Sequence, residues 1–105
     1  MKVLIKEEVY DDLIEAVRWY EKQSPNLGIR FFNEWEEALA TVAKTPFIFQ
    51  FQYKNFRHSK INRFPYLIIF EIEDSLIIVY AVIHAHRKSS ARYKRKRILK
   101  GKTGN

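Results

Sequence analysis

Two segments in the first half of the chain carry apolar residues at helical spacing. From Glu7 to Gln23, apolar positions recur every three or four residues, and charged residues fill most of the intervening positions. The chain then breaks at 24–28, "SPNLG", where Asn26 is a candidate N-cap, and a second helix is predicted up to about Lys44. Because the break is short, the helices should form an antiparallel hairpin. The predicted core positions are Val9, Leu13, Ala16, Val17, Tyr20, Ile29, Phe32, Trp35, Leu39 and Val42.

The remainder of the chain is rich in β-branched and aromatic residues, which favour strands. Strands are predicted at 2–6, 56–64, 66–73 and 76–86, and the polar turn 73–75 should join the last two as a hairpin. The last strand is apolar on both faces, which is typical of the interior of a sheet. The order β, α, α, β, β, β indicates an α+β fold, with the helical hairpin packed on a small antiparallel sheet.

Length and composition limit the class of protein. A chain of 105 residues with 47% hydrophobic residues can form one domain with its own core. We expect that domain at residues 1–98, followed by a short, mobile basic tail at 99–105. The absence of cysteine excludes disulfides and thiolate metal sites. No apolar run is as long as a membrane span or a signal peptide. We therefore expect a cytoplasmic protein without membrane contacts or a cofactor.

The charge of the chain is distributed unevenly. Residues 1–53 carry nine acidic residues against six Lys and Arg, whereas residues 75–105 carry nine Lys and Arg and no acid. This asymmetry, within a net charge of +7, favours a polyanion or an acidic protein as partner. A solvated basic tail would have the same composition. The basic residues near the C-terminus that are predicted to contact nucleic acid are Lys88, Arg92, Lys94, Arg95, Lys96 and Arg97.

Basic and aromatic side chains are expected to converge at one end of the predicted sheet. In a hairpin of the last two strands, Arg63 comes opposite the segment that contains His84 and Arg87. Tyr93 follows six residues later and can fold back over the same edge. Guanidinium groups bind phosphate oxygens, and an imidazole or phenol can transfer a proton. These four residues therefore predict metal-free cleavage of RNA, with the arginines on the phosphate and Tyr93 or His84 moving the proton.

Each of these residues also has a structural explanation. A histidine at a strand end, such as His84, is often a hydrogen-bonded structural residue, and the alternative role of Tyr93 is to anchor the tail to the sheet by its ring. Arg63 could pair with Glu71 or Glu73 as a solvated ion pair of little energetic value. Two histidines without a third ligand make a weak metal site, so no metal is expected.

The segments "DDLIEAVRWYE", "SPNLGIRFFNEWEEAL" and "FRHSKINRFPYLIIFEIEDSLIIVYAVIHAHRKSSARY" carry a resemblance to a known family. In their order and spacing, residues 3–98 resemble the RelE/ParE superfamily of bacterial type II toxins. Its members have a helical hairpin, an Arg-Phe-Pro-Tyr segment (here 63–66) and a His-x-x-Arg pattern (here His84 and Arg87). The resemblance implies a growth-inhibiting toxin of the plasmid-stabilisation type, encoded beside an acidic antitoxin that wraps and neutralises it.

The resemblance implies two possible activities. RelE-type members cut mRNA on the ribosome with arginines, lysines and a C-terminal tyrosine, which implies catalytic roles for Arg63, Arg87 and Tyr93 and an RNA contact for Lys60. ParE-type members poison DNA gyrase and lack the full nuclease set. The "WYE" and "LG" of the hairpin and the "RFPY" segment are more typical of the ParE-like branch. His84 matches a position common to both branches.

Two further classes of function remain open from the sequence. The chain could be a non-catalytic nucleic-acid-binding module whose basic tail contacts phosphates without reading sequence. It could also be a degenerate toxin that only binds its antitoxin. The partners expected from the sequence are thus an acidic antitoxin and either the ribosome with mRNA or DNA gyrase.

Overall fold

The computed structural model describes residues 1–86, so the predicted basic tail lies outside the described residues. Two helices pack on one face of a five-stranded sheet, which confirms the α+β prediction. None of the helices in residues 1–86 has both the length and the apolar character to cross a membrane. The elements in chain order are β1 (Lys2–Ile5), α1 (Glu7–Gln23), α2 (Leu27–Lys44), a 3-10 helix (Pro46–Ile48), β2 (Phe51–Tyr53), β3 (Phe56–Lys60), β4 (Tyr66–Glu73) and β5 (Leu76–His84).

The sheet has the strand order β1-β5-β4-β3-β2. Neighbouring strands are antiparallel except β1, which pairs in parallel with β5, so that Lys2 lies opposite Leu76. β5 is an interior strand, as its apolar sequence predicted. The strand predicted at 56–64 ends at Lys60, because the next residues form a turn. β2 was not predicted, because a strand of three residues is too short to show a clear periodicity and all three residues are exposed at the sheet edge.

The hairpin of β4 and β5 turns at Asp74, whose φ of 57° places it in the left-handed region. The register then shifts by one residue within β5. Ile69 lies opposite Ala81 and Phe70 lies opposite Val79, which leaves Tyr80 as the additional residue of a bulge. Up to the bulge, side chains of both strands alternate between the helix-covered face and the opposite face of the sheet.

The main core lies between the helices and the sheet, and the helical prediction was correct for α1 but wrong in phase for the start of α2. Ile29 was expected in the core but is 56% exposed, whereas Phe31 is fully buried. The face that packs begins at Gly28 and continues through Phe31, Trp35 and Val42. A smaller cluster lies on the opposite face of the sheet. It consists of Phe56, Ile69, Ala81 and Ile83, with Leu67 and Tyr80 packed against it.

The junction of the two helices is organised by Glu21 rather than by the predicted side-chain cap. Asn26 does occupy the N-cap position of α2, but its φ is 72° and its side chain forms no capping hydrogen bond. Instead, the Glu21 carboxylate accepts the backbone N–H of Asn26 at 2.9 Å and that of Gly28 at 3.0 Å. A carboxylate at this position satisfies free N–H groups and lies favourably at the positive end of the helix dipole.

Candidate functional site

The end of the sheet that was predicted to carry the site is formed by the β3–β4 turn and the last residues of β5. Tyr66, the first residue of β4, pairs with His84, the last residue of β5. One step further out, the backbone N–H of Ala85 donates to the carbonyl of Pro65 at 2.7 Å. The turn that contains Arg63 and the end of β5 are therefore joined by backbone hydrogen bonds, as the sequence predicted.

Arg63 lies exposed in that turn in the left-handed region, with a φ of 72°. This conformation is uncommon for a residue with a long side chain. The predicted alternative, in which Arg63 pairs with Glu73, does not fit the fold, because Glu73 is at the far end of β4 beside the hairpin turn. Glu71 is 1% exposed within the sheet and accepts a hydrogen bond from the Tyr80 hydroxyl at 3.4 Å.

His84 is half-buried at the strand end. Its Nδ1 accepts the backbone N–H of His86 at 3.1 Å, and its ring lies edge-to-face on Tyr66 with centroids 5.2 Å apart. Because Nδ1 is an acceptor, the neutral imidazole has its proton on Nε2. Within residues 1–86 there is no group of three or more potential metal ligands at this or any other position.

Lys60, for which an RNA contact was predicted, is the last residue of β3. Its ammonium group donates to the backbone carbonyls of Ile61 and Phe64, each at 3.2 Å. These two carbonyls flank Arg63 in the turn. The ammonium therefore joins the two sides of the turn, and an RNA contact by Lys60 stays a prediction.

The other predicted site residues lie outside the described residues. They are Arg87 and Tyr93, for which catalytic roles were predicted, and the basic residues Lys88, Arg92, Lys94, Arg95, Lys96 and Arg97. Of the predicted site, the structure therefore brings together Arg63, Lys60 and His84 at one end of the sheet.

A second surface, which the sequence did not predict in detail, is an apolar groove on the outer side of the helical hairpin. It has a volume of about 330 Å³ and is lined by Tyr10, Leu13, Ile14, Val17, Arg18 and Phe32. Tyr10 and Ile14 are about half exposed, and Trp19, one turn further along α1, is 49% exposed. The signal in the sequence was that Ile14 and Trp19 are apolar but do not fit the core stripe of α1. Exposed apolar residues that cluster in this way mark interaction sites.

A third surface contains the guanidinium group of Arg57. It donates to the carbonyl of Phe49 at 2.7 Å and lies 4.2 Å from the ring centroid of Phe51 and 5.6 Å from that of Phe47. Phe47 and Phe51 are both more than half exposed. This cluster was not predicted from the sequence, because it depends on the unpredicted strand β2.

Comparison with known proteins agrees with the fold and the residue pattern. Residues 3–89 match the family described as ParE toxin of type II toxin-antitoxin system, parDE. Toxin ParE2 of Mycobacterium tuberculosis, in strains CDC 1551 / Oshkosh and H37Rv, is 29% identical over 84 residues, which cover 79% of this chain and 80% of that protein.

Among solved structures, the fold is similar to a chain of the chromosomal ParDE TA system from P. aeruginosa. The TM-score is 0.73 at 12% sequence identity, and the match covers 82% of this chain and 97% of that one. The family match extends over most of the chain and includes the helical hairpin, all five strands and the Arg63 turn. The chain therefore belongs to the ParE toxin family of type II toxin–antitoxin systems.

Proposed function

We propose that this toxin inhibits growth by acting on DNA gyrase, and that the sheet end at Arg63 is a docking surface rather than a nuclease site. The observation that supports this proposal is the bonding of the polar groups at this end. The Lys60 ammonium donates to two backbone carbonyls, and Nδ1 of His84 accepts a backbone N–H. General acid–base catalysis requires groups directed at the substrate, whereas these atoms bond to the backbone of the protein itself.

Membership of the ParE family supports the same choice. In the resemblance described above, the ParE-type branch poisons gyrase and lacks the full set of nuclease residues. Arg63 is an exposed cation at the tip of a turn with many backbone hydrogen bonds. A guanidinium group in that position is suited to contact an anionic group on a macromolecular surface, for which no proton transfer is required.

We further propose that the antitoxin docks an acidic amphipathic segment in the groove of the helical hairpin. The groove is almost entirely apolar, with Arg18 at its side, and the whole chain carries a net charge of +7. An apolar groove between helices accepts the apolar face of a partner helix. Acidic residues of the antitoxin outside the groove complement the basic residues of this chain, which are concentrated in its second half. This surface lies on the helices, apart from the turn that carries Arg63.

Two assays test the proposed target. Purified toxin is incubated with gyrase, ATP and plasmid, and trapped double-strand breaks are measured as linear DNA. In parallel, the toxin is incubated with translating ribosomes, and mRNA cleavage is mapped by primer extension. We expect linear DNA in the first assay and no toxin-dependent cleavage in the second.

The matched variants are Arg63→Ala and Lys44→Ala. Both remove one exposed cation, but Lys44 is the last residue of α2 and lies beside Ser75, at the opposite end of the sheet. We expect Arg63→Ala to reduce the number of breaks and Lys44→Ala to leave it unchanged. Cleavage of mRNA without gyrase-dependent breaks would instead support the RelE-type ribonuclease, and binding of DNA or RNA without either activity would support a non-catalytic nucleic-acid-binding module.

A further inference from the structure

The turn between β3 and β4 is held by several backbone hydrogen bonds. The N–H of Ile61 donates to the carbonyl of Tyr66 at 2.9 Å, and the N–H of Tyr66 donates to that of Phe64 at 2.8 Å. The N–H of Phe64 completes the set with a longer bond of 3.3 Å to the carbonyl of Ile61. Since Pro65 follows, the backbone of Phe64 is further restricted. The two ends of this turn therefore have little freedom.

The turn is also anchored in the core by a side chain. The buried ring of Phe64 lies edge-to-face against Tyr20, at 4.9 Å between centroids, and against Phe31, at 5.2 Å. On the other side, the carbonyl of Pro65 accepts the N–H of Ala85. The residues after Arg63 are thus fixed both to the helices and to the end of β5.

Arg63 itself occupies the conformation that the turn requires, but at an energetic disadvantage. Its φ of 72° is readily adopted by glycine and, among other residues, by asparagine, because the β-carbon of most side chains crowds the backbone there. An arginine side chain does not stabilise this backbone conformation. What it provides is an exposed guanidinium group, and it stays in this conformation only if the surrounding turn restrains it.

Lys60 supplies that restraint from the end of β3. Its ammonium bonds to the carbonyls of Ile61 and Phe64, which lie on either side of Arg63. A single charged donor thereby links the beginning and the end of the strained segment. Hydrogen bonds with a charged donor are stronger than those between neutral groups.

We infer that Lys60 is a positioning residue: it fixes the turn that presents Arg63 at the toxic surface. The inference rests on one part of the proposed function, namely that the sheet end at Arg63 is the surface responsible for toxicity. It differs from the prediction that Lys60 contacts nucleic acid directly, because Lys60 acts here through Arg63. Its removal should therefore matter only while Arg63 is present.

The test is a double-mutant cycle in the full chain, with growth inhibition after induction as the readout. Lys60→Met keeps the aliphatic stem but removes all donors, and Lys60→Arg restores charged donors. We expect Lys60→Met and Arg63→Ala each to reduce toxicity by at least about tenfold, and the double variant to be no worse than Arg63→Ala alone. Lys60→Arg should recover much of the toxicity.

A matched control is Lys54→Met, which removes another exposed lysine from a turn position with positive φ. It should remain fully toxic. Binding of the antitoxin should be unchanged in all variants, because the groove lies on the helices, and this shows that each variant is folded. Amide hydrogen exchange at Phe64 and Tyr66 should become faster in Lys60→Met only.

Three results would overturn the inference. In the first, Lys60→Met remains fully toxic. In the second, the reduction in toxicity caused by Lys60→Met adds to the reduction caused by Arg63→Ala, which would make Lys60 an independent contact. Arg63→Ala could also remain fully toxic, in which case Lys60 has nothing to position. Failure of the gyrase assignment is a separate result, since it appears as an absence of gyrase-dependent breaks while the coupling of Lys60 and Arg63 is measured as growth inhibition.

Discussion

The carboxylate of Asp12, on α1, accepts the backbone N–H of Val82, on β5, at 3.0 Å. The position of the bond follows from the sheet. β1 covers that edge of β5 only as far as Val79, whose carbonyl accepts the N–H of Lys6. Beyond that point the edge of β5 faces α1 instead of a strand. The carboxylate of Asp12 therefore accepts a backbone N–H of β5 that has no partner strand at that edge. The side chain of Asp12 is only 3% exposed, so water cannot easily replace it.

Replacing Asp12 should therefore destabilise the fold. In Asp12→Leu the N–H of Val82 loses its acceptor within a buried site, which should lower the free energy of unfolding by about 1–3 kcal/mol. Asp12→Asn keeps an acceptor oxygen and should lose less. The measurement is urea unfolding, with Asp11→Asn, on the exposed face of α1, as the control. Equal stability of Asp12→Leu and the unchanged protein would show that the bond contributes nothing.

Gly28→Ala should also destabilise the protein, although alanine is the better helix former. A β-carbon at Gly28 would lie 2.6 Å from the carbonyl oxygen of Val17, which belongs to the backbone of α1. The helices would have to separate locally, and such overpacking typically costs about 1–3 kcal/mol, against a gain in helix propensity of about 1 kcal/mol. Thermal unfolding measures the difference. Asn33→Ala, at an exposed position of α2, should cause no loss.

Stability should fall at high pH because of Tyr80. Burial, followed by the nearby carboxylates of Glu71 and Glu73, raises the pKa of Tyr80 from 10.0 to about 12. The unfolded chain loses this proton first, so the contribution of Tyr80 is complete below pH 10 and disappears as the pH rises towards 12. Between pH 10 and 12, the free energy of unfolding measured with urea should fall less for Tyr80→Phe than for the unchanged protein. Parallel falls in the two proteins would contradict the shift.

The apolar groove gives a prediction for antitoxin binding. Ile14→Asp places a charge in the groove and should weaken binding by about tenfold or more, since buried apolar anchors carry much of the energy of an interface. Ile29→Asp is the matched control, because Ile29 is similarly exposed but does not line the groove. Both variants should unfold at similar urea concentrations. Equal affinities for the antitoxin, measured by calorimetry, would place the antitoxin elsewhere.

Tyr93→Phe separates the two possible activities. It removes the phenolic proton and keeps the ring, so a gyrase-directed toxin should keep its activity. A ribonuclease that uses the phenol in proton transfer should lose about a hundredfold. Arg87→Ala should reduce toxicity in either case, and Arg87→Lys should restore little of it, because an ammonium group lacks the bidentate geometry of guanidinium. Growth inhibition and the trapped gyrase breaks are the measurements.

The sequence predicted the elements whose periodicity is strong. α1 was predicted with its observed ends, and the β4–β5 hairpin with its turn, because both bury a regular set of apolar residues in a local pattern. The phase of α2 could not be predicted in the same way. It depends on the close contact of Gly28 with Val17, which is a tertiary contact between two helices. Ile29 and Phe31 are both apolar in the sequence, so tertiary packing, and not the sequence pattern, decides which of them is buried.

The location of the candidate site at one end of the sheet was predicted, but the hydrogen bonds of its side chains were not. The hairpin register was sufficient to bring Arg63 to the end of β5, because pairing in a hairpin follows from the position of the turn. The bonds of Lys60 to two carbonyls, and of His84 to the N–H of His86, depend on side-chain rotamers and on the shape of a turn. No sequence pattern encodes these bonds, so they could not be predicted from the sequence.

The parallel pairing of β1 with β5 has a consequence for the synthesis of the toxin. The first strand of the chain, Lys2–Ile5, finds its partner only when residues 76–79 have left the ribosome. The contacts between the two helices are local and can form early, but the sheet on which the helices pack forms only when β5 is present. A nascent toxin therefore exposes the apolar sides of its helices until the last strand is made. Folding of the domain, and with it toxicity, is delayed until β5 has left the ribosome.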